Sequence, residues 1–176
     1  MILVINTSGN GIDLVLDEKY IHVDAEKQST ALPATVINFM KKNNAQMSDL
    51  TAIGVVVGPG SFTGIRMGIA YAKGLGIGLN IPVVPVNAFE LYLHDAPDAF
   101  VAIDSGRGDF FVASKMHAPC TMNIDELEVE QMKCPQTVGR KPFDLKNAVE
   151  IIENKIKSGD LEPAIPLYLR PSYAEK

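Results

Sequence analysis

The sequence predicts an α/β chain of two related lobes, the second one reduced. Three observations carry that expectation. Three short strands followed by a helix occur twice, offset by roughly a hundred residues. Two short apolar runs, Ile2 to Ile5 and Ala52 to Val57, read as buried strands. A glycine-rich segment then follows the second run, holding seven of the chain's 14 glycines between Gly58 and Gly78. The lobes are expected at 1–97 and 98–176.

In the first lobe, Ile2 to Ile5 leads into the polar turn Asn6-Thr7-Ser8-Gly9. Ile12 to Leu16 alternates around Asp13, Asp17-Glu18-Lys19 turns, and Tyr20 to Val23 completes an antiparallel meander. Ser29 or Thr30 can cap a helix, with Pro33 where its missing N–H costs little. Leu32, Val36, Phe39 and Met40 form its apolar face, Lys41 and Lys42 suit its last turn, and Asn43-Asn44 ends it. Ala52 to Val57 precedes the glycine-rich helix to about Leu79. Ile81 to Val86 is a strand near an edge, because Pro82 and Pro85 cannot donate to a ladder. Asn87 can cap a helix over 88–94.

The second lobe restarts the pattern. Ala99 to Ile103 ends at Asp104-Ser105-Gly106, Phe110 to Lys115 is a second strand, and about Leu127 to Lys133 a third. A helix near 144–157 presents Leu145, Ala148, Val149, Ile152 and Ile156, with Ser158-Gly159 as its stop signal. A proline-rich tail, Pro163 to Lys176, closes the chain.

Composition narrows the function classes. The 176 residues carry a net charge of −5 and are 47% apolar. A free-standing nucleic-acid binder needs a basic surface to displace counterions, so the charge argues against that class, while leaving room for a local basic patch or for a subunit of a larger RNA-handling machine. Cys120 and Cys134 form no CxxC, which gives neither a disulfide framework nor a zinc ribbon and suits reduced thiols in a cytoplasmic protein. MILVINTSGNG lacks a signal peptide's basic flank and apolar length, and no run of about 20 apolar residues spans a membrane. His22, His94 and His117 are isolated, so no metal site is expected.

The glycine-rich helix holds the most informative pattern. Glycine inside a helix costs about 1 kcal/mol relative to alanine, so five of them from Gly64 to Gly78 need a packing or ligand reason. Gly64, Gly68 and Ala72, at i, i+4 and i+8, make a smooth stripe, suited to packing on the chain's own sheet, to admitting a partner helix, or to both. Arg66 and Lys73 share a face and can hold phosphate or a partner carboxylate. The loop Gly58-Pro59-Gly60-Ser61-Phe62-Thr63 offers free amides and two hydroxyls to an anion, but is neither a Walker loop nor GxGxxG. In an actin-like ATPase, Asn6, Thr7, Ser8 and Asp104 would stand where strand-end turns grip nucleotide phosphates and Mg²⁺. Neutral Asn6 is a poor ligand for a hard cation. Asn6, Thr7, Ser8, Ser61, Thr63 and Asp104 therefore form a candidate vestigial nucleotide or anion site. Asp125 to Glu130 reads as a solvated strand edge or hairpin.

VGPGSFTGIRMGIAYAKGLG at 57–76 closely resembles the signature of the bacterial TsaB (YeaZ) family, tRNA threonylcarbamoyladenosine biosynthesis proteins grouped with M22-like glycoproteases. ILVINTS, the segment 82–91, AIDSGRGDFF at 102–111 and PLYLRP at 166–171 resemble further family segments. The resemblance implies an actin-like, HSP70-type (ASKHA) nucleotidase fold of two ribonuclease H-like lobes. It also implies a non-catalytic scaffold that binds and stabilises a catalytic TsaD-like paralogue, which carries the metal-binding histidines. A TsaE-like ATPase joins them, the family homodimerises in isolation, and tRNA contact is mainly indirect. No cofactor belongs to the chain itself, ATP and Mg²⁺ entering only with the complex. The implied interface is Gly64, Arg66, Gly68, Ala72 and Lys73, with the helix over 30–43 beside them. Three departures stand out: Asn6 replaces a usual Asp, Gln28 replaces a common His, and the chain is short for the family in its second lobe. The competing readings are a weak ATPase or peptidase-like enzyme, and a freestanding homodimeric binding module.

Overall fold

A computed structural model describes residues 1–134 and 136–169. The described residues divide into two compact units: Met1–Asn87 with Leu145–Pro166, and Ala88–Asp144 with residues 167–169.

The first unit is built on a five-stranded sheet. β1 (Ile2–Asn6), β2 (Ile12–Leu16) and β3 (Lys19–Val23) form the expected meander. α1 (Gln28–Lys42) follows, then a 3₁₀ turn (Met47–Asp49) and β4 (Ala52–Val56), which pairs parallel with β1. α2 (Phe62–Leu79) crosses to β5 (Val83–Val86), parallel to β4. The order is β3-β2-β1-β4-β5. β1 and β4 are buried throughout, which their apolar runs require of strands covered on both faces.

Alternation along β4 sends neighbouring residues to opposite faces. Val55 lies toward α2 at Gly68. Gly54, beside Val4, lies toward Ile152 of the helix α5 (Asn147–Ser158). Here the structure departs from the expected boundary. Sequence order puts α5 in the second lobe, yet it closes the open face of the first sheet. Ile152 is fully buried, and Lys155 Nζ donates to the Pro85 carbonyl at 2.9 Å. Gly54 is what permits this approach, since a Cβ there would strike the Ile152 side chain.

The second unit begins with α3 (Ala88–Asp95), a helix that sequence order puts in the first lobe. β6 (Phe100–Asp104), β7 (Asp109–Ala113) and β8 (Cys120–Asn123) form an antiparallel meander. α4 (Ile124–Gln131) leads to a two-residue strand, β9 (Thr137–Val138), parallel to β6. The order β8-β7-β6-β9 repeats β3-β2-β1-β4. Phe100 and Ala102 pack with Leu127 of α4, whereas Val101 packs with Phe89 of α3, so one helix covers each face.

The expected strand over Leu127 to Lys133 is thus helix α4, and the third strand is Cys120–Asn123. The segment LEVEQ alternates like a strand, but Asn123 and Glu126 close a reciprocal capping box that starts a helix there. β9 leaves no signal in the sequence, because a two-residue strand carries no periodicity. α1 also begins earlier than expected. Lys27 precedes it without a side-chain cap, and Pro33 lies inside the helix beyond its first turn. Both stop signals act where the sequence puts them: Asn43 ends α1, and Gly159 closes α5 in the left-handed region at φ 75°. The closing motif 166–171 lies outside the described residues from 170 on.

Candidate functional site

The Asn6-Thr7-Ser8 turn lies at the end of buried β1, and its polar groups answer one another. Asn6 Nδ2 donates to Asp13 Oδ2 at 3.1 Å, across the β1–β2 pairing of those two residues. Asn6 Oδ1 accepts from the Ser8 amide at 3.0 Å and the Ser8 hydroxyl at 2.7 Å. Thr7 Oγ1 donates to the Gly64 carbonyl at 2.7 Å. The Ser61 amide donates to the Ser8 carbonyl at 2.7 Å, and Ser61 Oγ caps α2 by accepting from the Gly64 amide at 3.3 Å. Gln28 Nε2 donates to the Gly9 carbonyl at 3.0 Å and also to that of Gly11.

The start of α2 therefore sits directly on this turn. A Cβ on Gly60 would overlap the Ser8 backbone, and one on Gly64 the Thr7 carbonyl. Thr63 is exposed beside an open cavity of about 580 Å³ whose charged lining is Asp24, Glu26 and Lys27. That balance is negative, opposite to what a nucleotide's phosphates require. An entering phosphate would also have to displace hydrogen bonds already made within the chain.

Asp104 belongs to the second unit, where it closes its own turn. Its Oδ1 accepts from the Gly106 amide at 2.7 Å, Ser105 Oγ bonds Asp109, and the Arg107 amide donates to Ser105 Oγ at 3.2 Å. Each expected phosphate-gripping turn is thus internally satisfied within its own unit. Among the described residues, no group of three or more His, Cys, Asp or Glu is placed to hold a metal ion. Ser61 is a helix cap, and none of its hydrogen bonds involves a histidine.

Asp13 is the residue that sequence reasoning does not single out. It accepts Tyr20 Oη at 2.7 Å and faces His22 Nδ1 at 2.8 Å, besides taking the Asn6 amide. The hydrogen bond to Asp13, and then that to Asp24, holds the His22 imidazole above its ordinary pKa. An aspartate at position 6 would set two carboxylates face to face, whereas Asn6 donates instead. The usable signal is parity: a hairpin register that pairs Asn6 with Asp13 puts both side chains on one face.

The implied interface residues divide between two faces of α2. Gly64, Gly68 and Ala72 are buried against the chain's own sheet. A Cβ on Gly68 would overlap Thr7 Oγ1, and one on Gly76 would overlap the Val83 side chain. Arg66 and Lys73 do lie on the outward face, with Phe62, Ala70, Gly74 and Ile77. Arg66 stacks over the Phe62 ring at 3.8 Å, and Ile77 is 83% exposed. A Cβ on Gly74 or Gly78 would meet nothing within 4 Å, so internal packing does not require these two glycines.

Comparison with known proteins agrees with this architecture. The chain is similar to the TsaB protein of Haemophilus influenzae, 28% identical over 123 residues, which span 62% of this chain and 51% of that one. It is also similar to the tRNA N6-adenosine threonylcarbamoyltransferase of Gluconobacter oxydans, 35% identical over 71 residues, 40% of this chain and 20% of that one. The chain thus spans about half or less of the length of these curated relatives. A crystal structure of an uncharacterized Pseudomonas aeruginosa protein with similarity to peptidase YEAZ superposes with a TM-score of 0.74 at 17% identity, covering 96% of this chain and 99% of that one. The fold is accordingly the actin/HSP70-like one of two mixed α/β lobes. The family described as "TsaD: tRNA N6-adenosine threonylcarbamoyltransferase" matches residues 22–154, well over half of the sequence. With its fold and its TsaB relatives in accord, the chain belongs to that family.

Proposed function

We propose that the chain is a non-catalytic scaffolding subunit of a tRNA threonylcarbamoyladenosine-modification complex, binding and stabilising a catalytic TsaD-like paralogue. The observation that carries this reading is the outward face of α2. Two helix glycines there, Gly74 and Gly78, have no internal neighbour to explain them, though each weakens the helix by about 1 kcal/mol relative to alanine. With Ala70 they form a stripe at i, i+4 and i+8 that lets another helix approach closely. Phe62, Arg66, Lys73 and Ile77 flank it, supplying apolar area and cations for partner carboxylates. The exposed Ile37 of α1 belongs to the same unit.

The satisfied turns at Asn6 and Asp104 support a non-catalytic role, and the acidic balance supports indirect tRNA contact. In this reading the chain homodimerises when alone, a TsaE-like ATPase joins in the complex, and the assembly is cytoplasmic. No helix among the described residues is long and apolar enough to cross a membrane.

Light scattering after size exclusion tests the proposal. Mixed with a TsaD-like protein from the same source, the chain forms a one-to-one heterodimer that replaces its homodimer. Gly74→Arg abolishes that association without lowering the thermal melt, because the new side chain enters only solvent in the isolated chain and arginine is a better helix former than glycine. Association that survives Gly74→Arg assigns the contact elsewhere, and a chain that ignores the partner removes the scaffold reading.

A further inference from the structure

α4 leaves more of its apolar residues exposed than buried. Of its eight residues only Leu127 is buried. Ile124 and Val129 are 48% and 50% exposed, and Met132, which closes the helix, is 80% exposed. Met116, 88% exposed, sits on the loop before β8. The next residue, His117, places Nε2 3.3 Å from Glu130 Oε2, so this loop lies against α4. Helices in folded proteins draw most of their stability from a packed apolar stripe. Single exposed apolar residues are ordinary, but here two lie on one short helix, a third closes it and a fourth sits on the loop that touches it.

The same arc is acidic. At 3.6 residues per turn, Ile124, Glu128, Met132, Asp125 and Val129 follow one another around the exposed side. Glu126 is engaged in the capping box, and Glu130 is held by Lys133 at 2.7 Å. Asp125 and Glu128 are exposed and stand beside the apolar residues.

We propose that this face is a docking surface for a basic amphipathic helix of a partner protein. Charge complementarity selects that occupant. Its apolar stripe would cover Val129, Met132 and Met116, whose methionines adapt to varied shapes. Its lysines or arginines would meet Asp125 and Glu128. A second copy of this chain, docked through the same face, would set those carboxylates against their own kind.

A fluorescent Lys/Leu peptide with leucines at helical spacing serves as the probe, titrated into the full chain while amide NMR follows the protein. Saturable binding is expected, with shifts confined to Met116 and the 124–132 segment. The Val129→Ser/Met132→Ser pair weakens it by about tenfold or more, equivalent to about 1.4 kcal/mol. The Asp125→Asn/Glu128→Gln pair reduces its salt dependence. All four positions are exposed, and unchanged melting curves verify that the variants fold. Equal binding by the apolar variant, or equal binding of a Glu/Leu peptide, overturns the proposal. So does a doubled mass in solution that Val129→Ser/Met132→Ser abolishes, which makes a second copy the occupant.

Discussion

Gly68 and Gly74 stand on one helix and have opposite physical meanings. Gly68 lies over Thr7 Oγ1, so Gly68→Ala forces either the helix or the strand-end turn to move. Overpacking of this kind costs about 1–3 kcal/mol. Gly74 faces open space, so Gly74→Ala gains helix propensity, about 1 kcal/mol. Urea denaturation of the two variants reads the difference in sign. The Asn6–Asp13–His22 network gives a second residue-scale prediction. His22 has a folded-state pKa raised above 6.5, chiefly by its hydrogen bond to Asp13. Its stabilising contribution is therefore fully present below that unfolded value and is lost as pH rises through the folded one. NMR titration finds the His22 midpoint above 6.5, and Asp13→Asn lowers it. An unmoved midpoint in that variant removes Asp13 as the cause.

Helices mark the scale at which local and tertiary effects separate. α5 has a clear apolar face in the sequence, and its place becomes visible only through Gly54, the gap in β4 that receives Ile152. Ile152→Ala should cost about 2–5 kcal/mol, the range for truncating a buried isoleucine. Hydrogen exchange should rise in β1, β4 and β5, the strands of the sheet α5 covers. A rise confined to the second unit contradicts the packing. α4 makes the converse point. Its Asn123–Glu126 box is written in the sequence, but the alternation of Leu127 and Val129 with glutamates mimics a strand. A capping box satisfies backbone groups at a defined place, whereas alternation over so few residues identifies no single structure.

Across the whole molecule, repetition is clearer in topology than in sequence. Both units set a meander beside a parallel strand, in the orders β3-β2-β1-β4 and β8-β7-β6-β9. The first adds β5 and gains α5 from late in the chain, so sequence order alone places the lobe boundary wrongly. The same scale governs association. Gly68 belongs to the interface that the family resemblance implies, but its burial makes Gly68→Arg a folding variant. Light scattering of Gly74→Arg separates association from stability.

Local chemistry in the sequence determined the two meanders' first strands, the glycine-rich helix and the stop signals at Asn43 and Gly159. Apolar runs, turn residues and left-handed caps act over a few neighbours, so they can be read along the chain. That Asn6 is neutral, and so a poor ligand for a hard cation, is also legible along the chain. Only the tertiary structure decided which way the Gly64–Gly68–Ala72 stripe faces, which sheet α5 covers, and that Asp13 completes the Asn6 turn. A small-residue stripe permits close approach without naming what approaches, and side chains far apart in sequence meet only when strand register and helix packing bring them together.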